Sequence, residues 1–410
     1  MSPAWICARR WIDNARLMTA HLCLRPWRAA FALLGAVLLA GGGPSPSRAS
    51  EEISRLRRIA GVHETPAQDD GYRLWLRYDP LPDGARRREY LRAIAAIVVD
   101  DAASPGAPRQ MSGPIPSVSL TLQAARDELA LGLSGLMGRR IPIVSSRGRH
   151  GRGTVVVGTP GSSVDIASLN LGATLRPLGE EGYLLVRRDE QLIVAANTDR
   201  GALYGVFALL RHLQTLGSVR ELDVRSAPAK KLRMLDHWDN LDGTVERGYA
   251  GRSLWDWDAL PERLDARYRD YARAMASIGL NATVLNNVNA DARVLTPAYL
   301  RKVAALATVF RPYGIRVFLA GRFSAPRDLG GLLTADPKDI RVAAWWRAKA
   351  DEIYRLVPDF GGFLVKANSE GQPGPQDYGR THADGANALE LDLNGESQRP
   401  RHNLSIFSYL

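Results

Sequence analysis

Residues 359–390 read DFGGFLVKANSEGQPGPQDYGRTHADGANALE. The run GGFLV is a short apolar strand candidate, and it ends in polar Lys366, Asn368, Ser369 and Glu370. The same rhythm extends towards the amino terminus. Residues 342–356 have a helical period, and Trp345 and Trp346 lie within it. Residues 315–320 form a strand candidate, preceded by a helix over 299–310 and a turn at Pro312-Tyr313-Gly314. Another strand over 282–285 ends in Asn286-Asn287, and the helix before it, 264–277, is stopped by Gly279. The first strand, 232–235, runs into Asp236-His237-Trp238-Asp239-Asn240. Four strands alternate with helices, and polar residues gather at most of their carboxyl ends. This predicts an α/β fold of the (β/α) barrel type, with function at that end of the strands. A complete barrel of eight units needs about 250 residues. Some 180 follow residue 231, room for about four units, so the barrel is expected to be truncated.

Residues 76–228 carry a different mixture. Strand candidates lie over 94–99 and 153–158. A helix is expected over 120–137, with Ser119 as its cap. A hairpin of 183–186 and 192–196 turns at the charged residues 187–190, and a second helix follows Asp199. This reads as an α+β domain with helices on a sheet. The Gly158–Ser163 loop is a turn that can also cradle an anion. SAPAKK (226–231) reads as a linker. The expected domains are 1–49, a signal peptide; 50–228, the α+β domain; 229–390, the partial catalytic barrel; and 391–410, a tail without clear helix or strand period.

The formal net charge of +11 does not point to a nucleic-acid partner: +5 of it comes from residues 1–50, and no nucleic-acid-binding signature is present. Residues 29–40 form an apolar run after Arg25 and Arg28, with small residues up to Ala49. This is the layout of a secretory leader, too short to span a bilayer comfortably. The expectation is therefore an exported chain, periplasmic or extracellular, without stable membrane insertion after processing. Both cysteines, Cys7 and Cys23, lie in that leader, so the mature chain would carry no disulfide.

The candidate chemistry lies after the fourth strand. Lys366 and Glu370 are four residues apart, and Gly371, Pro373, Gly374 and Pro375 can hold a stiff loop. A carboxylic acid in a partly desolvated cleft has a raised pKa and can protonate a departing sugar oxygen. A nearby lysine would lower that pKa unless its charge is directed at an acidic sugar. Spacing alone is equally compatible with a surface ion pair. Trp238, at a strand end between polar residues, suits stacking on a sugar face. Trp255 and Trp257 fit either a cleft or a core, and Trp345 and Trp346 fit helix packing. His382 and Asp384 are weak as a metal pair, and no metalloprotease, calcium-loop, phosphate-loop or nucleophile-elbow motif occurs. No metal or cofactor is expected.

LDHWDNLDGTVERGYAG (235–251), LNATVLNNVNA (280–290) and DFGGFLVKANSEGQPGPQDYGRTHADGAN (359–387) resemble glycoside hydrolase family 67. The resemblance extends more weakly through a hexosaminidase-domain-2-like amino-terminal domain to about residue 75. It implies an inverting, metal-free α-glucuronidase on a (β/α)8 barrel, one that removes (4-O-methyl-)glucuronic acid, α-1,2-linked, from the terminal xylose of xylo-oligosaccharides. By the same resemblance Glu370 matches the general acid and Lys366 a basic residue of the uronate site. Trp238 matches an aromatic residue packed on the sugar, and Val288 an apolar residue shaping the pocket. Arg380, His382 and Asp384 match a signature loop without an assigned role. The resemblance also implies a homodimer as an expectation for full-length relatives. The match stops near residue 390, so the carboxylate that activates water is expected outside this chain. Such a chain should have little or no activity, and its half barrel should expose two open strand edges. The rival readings are another barrel glycosidase and a non-catalytic carbohydrate-binding fragment. An Asp-Glu pair at the fourth strand would favour a hexosaminidase-like enzyme, and here Ser369 precedes Glu370.

Overall fold

The computed structural model describes residues 70–99, 119–144, 151–394 and 406–408. The leader expected over 1–49 lies outside them. Residues 70–74 form a small turn in which Asp70 accepts the Tyr72 N–H at 2.9 Å. Both sheets belong to the unit that begins at Trp75.

The first sheet is mixed. Strands β1 (Ala96–Val99), β2 (Thr154–Gly158), β3 (Tyr183–Arg188), β4 (Gln191–Ala196) and β5 (Asp223–Ser226) stand in the order β1-β2-β4-β3-β5. β1, β2 and β4 run parallel, while β3 is antiparallel to β4 and β5. Alternation along each strand feeds two cores. Val155 and Val157 point into the main core with Leu192 and Val194, whereas Val156, Ile193 and Ala195 point to the other face. Helices α1 (Ala85–Ala93), α2 (Leu120–Met137) and α3 (Asp199–Gln214) supply buried residues to the main core. The Ser119 hydroxyl caps α2 by accepting the Leu122 N–H at 3.2 Å. Gly205 lets α3 approach the sheet, since a Cβ there would stand 2.6 Å from Val194. The Gly158–Ser163 loop is a turn that satisfies itself: Thr159 and Ser162 exchange side-chain hydrogen bonds.

The second sheet is wholly parallel. Strands β6 (Met234–Asp236), β7 (Ala282–Val284), β8 (Arg316–Ala320) and β9 (Gly362–Lys366) pair in chain order. Helices α4 (Ala266–Ser277), α5 (Pro297–Phe310) and α6 (Ile340–Leu356) connect them. Val317, Leu319, Phe363 and Val365 meet buried helix residues such as Tyr268, Leu306 and Ile353 in the main core. On the opposite face Val284, Phe318, Ala320 and Leu364 form a separate cluster. The mixed α/β class is therefore as expected.

Two polar hubs tie the sheets into one core. Glu128 of α2 accepts from Arg273 of α4 at 2.5 and 2.9 Å and from the Tyr78 hydroxyl at 2.5 Å. Glu181 accepts from Arg200 at 2.6 Å, Arg233 at 2.5 Å and Asn281 at 2.9 Å.

The tail, which has no clear helix or strand period, carries regular structure in two places. Helix α7 (His382–Asn394) runs into it, and β10 (Ile406–Ser408) adds to β9 in parallel register. β9 is therefore an inner strand, and that edge of the second sheet is the three-residue β10. Hydrogen bonding to an existing edge makes a strand of a segment with no period of its own.

Candidate functional site

Lys366 is the last residue of β9, and its side chain is only 4% exposed. Its ammonium donates to the Asn289 side-chain carbonyl at 2.9 Å and to Oε2 of Glu370 at 2.5 Å. Between them the chain makes a tight turn. Gln372 donates its N–H to the Ser369 carbonyl at 2.9 Å, and Glu370 and Gly371 hold φ of +49° and +75°. Two consecutive left-handed residues define a type I′ turn. Glycine suits it; a glutamate there is strained, as residues at functional sites often are. The loop beyond is pinned by Asn368, whose side chain accepts the Gln376 N–H at 3.2 Å. A Cβ at Gly374 would meet that same oxygen at 2.1 Å. The glycines thus serve a loop that displays Glu370, as their pattern suggested.

A third charge was not foreseen. Arg247, in the loop after β6, places Nη2 2.6 Å from Oε1 of Glu370. Its backbone is positioned by neighbouring strand ends: the Glu246 carbonyl accepts from Asn240 at 2.9 Å and Asn287 at 3.1 Å, and the Glu246 N–H donates to the Trp238 carbonyl at 2.9 Å. The sequence signal was weak, an arginine 123 positions before its partner.

The electrostatics also depart from expectation. The hydrogen bond from Lys366, then that from Arg247, lowers the Glu370 pKa, and desolvation is the smallest influence. The side chain is 47% exposed, so burial cannot raise it as expected. In this state Glu370 is an anion held between two cations. Asp236, at the end of β6, behaves oppositely. Burial pushes its carboxyl up to about 6, against a hydrogen bond from Trp238 and the proximity of His237. Solvent reaches its open side, which caps the consequence for stability.

Trp238 is partly buried and packs on the second sheet's separate apolar cluster, to which Val288, 1% exposed, and Leu364 belong. Leu364 lies two residues before Lys366. Trp238 and Val288 therefore face the side of the sheet from which Lys366 emerges. Beside them a cleft of ≈ 190 Å³ is lined by Asp239, Asn286, Asn287 and Asn289 among others. Trp255 and Trp257 are core, 1% and 2% exposed. Trp255 donates to the Leu285 carbonyl at 2.9 Å amid Tyr268, Tyr271 and Phe310. Trp346 is buried against Phe363, as helix packing requires. Arg380 forms a fork with Asp336 at 3.0 and 2.8 Å. Asp384 accepts from the Thr381 N–H and hydroxyl at the start of α7. That loop is held by structural contacts. Among the described residues no group of three or more His, Cys, Asp or Glu side chains can hold a metal ion, and no described helix is long and apolar enough to cross a membrane.

A carboxylate, an ammonium and a guanidinium converging beyond the carboxyl ends of parallel strands define a β/α protein with a polar site at that edge of its sheet. The chain belongs to glycosyl hydrolase family 67: the model of the family's N-terminus matches residues 74–209, and that of its middle domain matches residues 212–397. Alpha-glucuronidase A of Emericella nidulans is 38% identical over 347 residues, 83% of this chain and 38% of that protein. Alpha-glucuronidase of Hypocrea jecorina is 38% identical over 327 residues, 78% of this chain and 37% of its own length. The chain thus spans little more than a third of these relatives. Among solved structures, a family GH115 4-O-methyl-alpha-glucuronidase superposes with a TM-score of 0.44 at 15% identity, covering 68% of this chain and 36% of that one.

Proposed function

We propose that this chain carries the acid side of an α-glucuronidase site, acting on (4-O-methyl-)glucuronic acid joined α-1,2 to the terminal xylose of xylo-oligosaccharides. Glu370 is the proton donor to the departing oxygen, and Lys366 is a cation for the uronate. Trp238 and Val288 form the apolar wall against which the sugar rests. The observation that carries this reading is the contact of Glu370 with the buried Lys366 at 2.5 Å on a stiff loop, in a chain 38% identical to an alpha-glucuronidase.

The second sheet is read as four units of a (β/α)8 barrel; its parallel pairing in chain order supports this. Domain limits near 50–228 and 229–390, and export after removal of residues 1–49, belong to the same proposal. Inversion needs a second carboxylate ~6.5–9.5 Å from the acid to activate water, and none of this chain's carboxylates is assigned that role. The exposed, ionised state of Glu370 favours a second reading, a carbohydrate-binding protein without catalysis.

The test is incubation with aldouronic acids. Glucuronate release that disappears in Glu370→Ala supports the enzyme, and uronate-dependent tryptophan fluorescence without release supports the binder. Full release by Glu370→Ala would remove the acid assignment.

A further inference from the structure

We propose that Arg247 is a latch on Glu370: its guanidinium holds the carboxylate in the unliganded protein and passes to the carboxylate of an arriving uronate, which frees Glu370 to take a proton. The proposal rests on the reading of Glu370 as acid and of a uronate as ligand.

The resting geometry is unsuited to proton donation. Each oxygen of Glu370 is occupied by a different cation, Oε1 by Arg247 at 2.6 Å and Oε2 by Lys366 at 2.5 Å. Both cations favour the anion, and a donor must be protonated before it can act. One of them has to be diverted.

The two differ in their capacity to move. Lys366 is buried to 4% exposure at a strand end and is fixed by Asn289. Arg247 is 58% exposed. Its loop is anchored at the Glu246 carbonyl by the Asn240 and Asn287 amides. The guanidinium can therefore swing on its long side chain while its backbone stays in place.

A uronate brings the partner that chemistry prefers. Its carboxylate accepts two parallel hydrogen bonds from a guanidinium, whereas Glu370 engages Arg247 through one oxygen. The other groups around the site are accounted for. The Glu246 carboxylate lies 3.8 Å from Nε of Arg247 and receives the Tyr249 hydroxyl at 3.3 Å. Across the turn Arg322 donates to Gln372 at 3.2 Å and is paired with Asp328 at 2.9 Å. When the guanidinium leaves, Glu370 keeps only Lys366, itself then shared with the ligand. The proton that Glu370 acquires comes from solvent, so binding takes up protons at a pH between the ligand-free and liganded midpoints of Glu370.

The test uses the full chain carrying 13C-labelled glutamate, with the Glu370 carboxyl resonance identified by its loss in Glu370→Gln. The midpoint of its titration is measured in wild type, Arg247→Gln and Arg247→Lys, each without ligand, with D-glucuronate and with D-glucose. Without ligand, Arg247→Gln should raise the midpoint by about one pH unit, and Arg247→Lys should restore most of the fall. Saturating glucuronate should raise the wild-type midpoint by a similar amount, glucose should not, and Arg247→Gln should show a clearly smaller rise, the part due to the shared Lys366 and the ligand's own charge. If glucuronate binds by tryptophan fluorescence but leaves the wild-type midpoint in place, the latch is refuted while the uronate reading stands. An unchanged midpoint in ligand-free Arg247→Gln also refutes it. If glucuronate perturbs neither fluorescence nor titration, the uronate reading fails and the exchange fails with it.

Discussion

Replacing Lys366 by methionine or by alanine separates what its charge does from what its stem does. The side chain is 4% exposed, so its methylenes are packed while its ammonium meets Asn289 and Glu370. Methionine keeps most of the stem and removes the charge. Glu370, already 47% exposed and held by Arg247, then returns its freed oxygen to water and is not stranded. The lost pair and the relieved desolvation of the ammonium nearly cancel, so Lys366→Met should change stability by no more than about 1 kcal/mol in either direction. Alanine also deletes three methylenes. At about 0.8 kcal/mol for each buried methylene, Lys366→Ala should cost about 2 kcal/mol. Urea unfolding at pH 7 measures both. Glucuronate affinity should fall about tenfold or more in both variants, since a charge-assisted hydrogen bond contributes about 1.5–3 kcal/mol. If Lys366→Met destabilised as much as Lys366→Ala, the ammonium and not the packed stem would hold the strand end, and the reasoning would be wrong.

The remaining predictions concern the hub, the tryptophans and the aspartate at the end of β6. Glu181→Gln should destabilise by about 3–5 kcal/mol, because a hub with two guanidinium partners is broken. Burial alone would raise the Glu181 pKa, but hydrogen bonds from Asn281, Arg200 and Arg233 bring it below the ordinary value. Its stabilisation is therefore full above the unfolded-state pKa and fades as pH falls through the folded one. The gap between wild type and Glu181→Gln in denaturant midpoint should narrow as pH falls below the ordinary glutamate range, and a gap independent of pH would argue against it. Trp238→Ala should abolish the fluorescence response to glucuronate with little loss of melting temperature, whereas Trp255→Ala should cost about 3–5 kcal/mol because its indole is enclosed in the core; a reversed pattern would exchange their roles. The Asp236 carboxyl should titrate near 6 by NMR, and Asp236→Asn should gain on wild type in stability as pH rises from 4 to 7, since an ionised carboxylate there is disfavoured. An ordinary aspartate midpoint would show that solvent cancels the burial.

Local signals decided much of this protein. Period and punctuation located the strands of both sheets other than β5 and β10, and the longer helices, because a strand buried on both faces must be apolar and a helix must be capped; β5, Asp223–Ser226, carries too little apolar pattern to be seen. Ser119 before α2 and Gly279 after α4 are such marks. The glycine- and proline-rich run after Lys366 announced a stiff loop, since those residues exclude regular structure by covalent geometry alone, and the four-residue spacing brought Glu370 back to Lys366. Tertiary structure decided what depends on distant partners. Trp255 became core and Trp238 stayed only partly buried, although both are tryptophans after the same strand, because exposure is set by what packs above them. Ile406–Ser408 became a strand only by hydrogen bonding to β9. Arg247 reached Glu370 across 123 positions, and that contact, with a half-exposed side chain, turned an expected rise in the acid's pKa into a fall. The charge state of a carboxyl group is fixed by the cations and solvent around it in space, and no linear pattern records those.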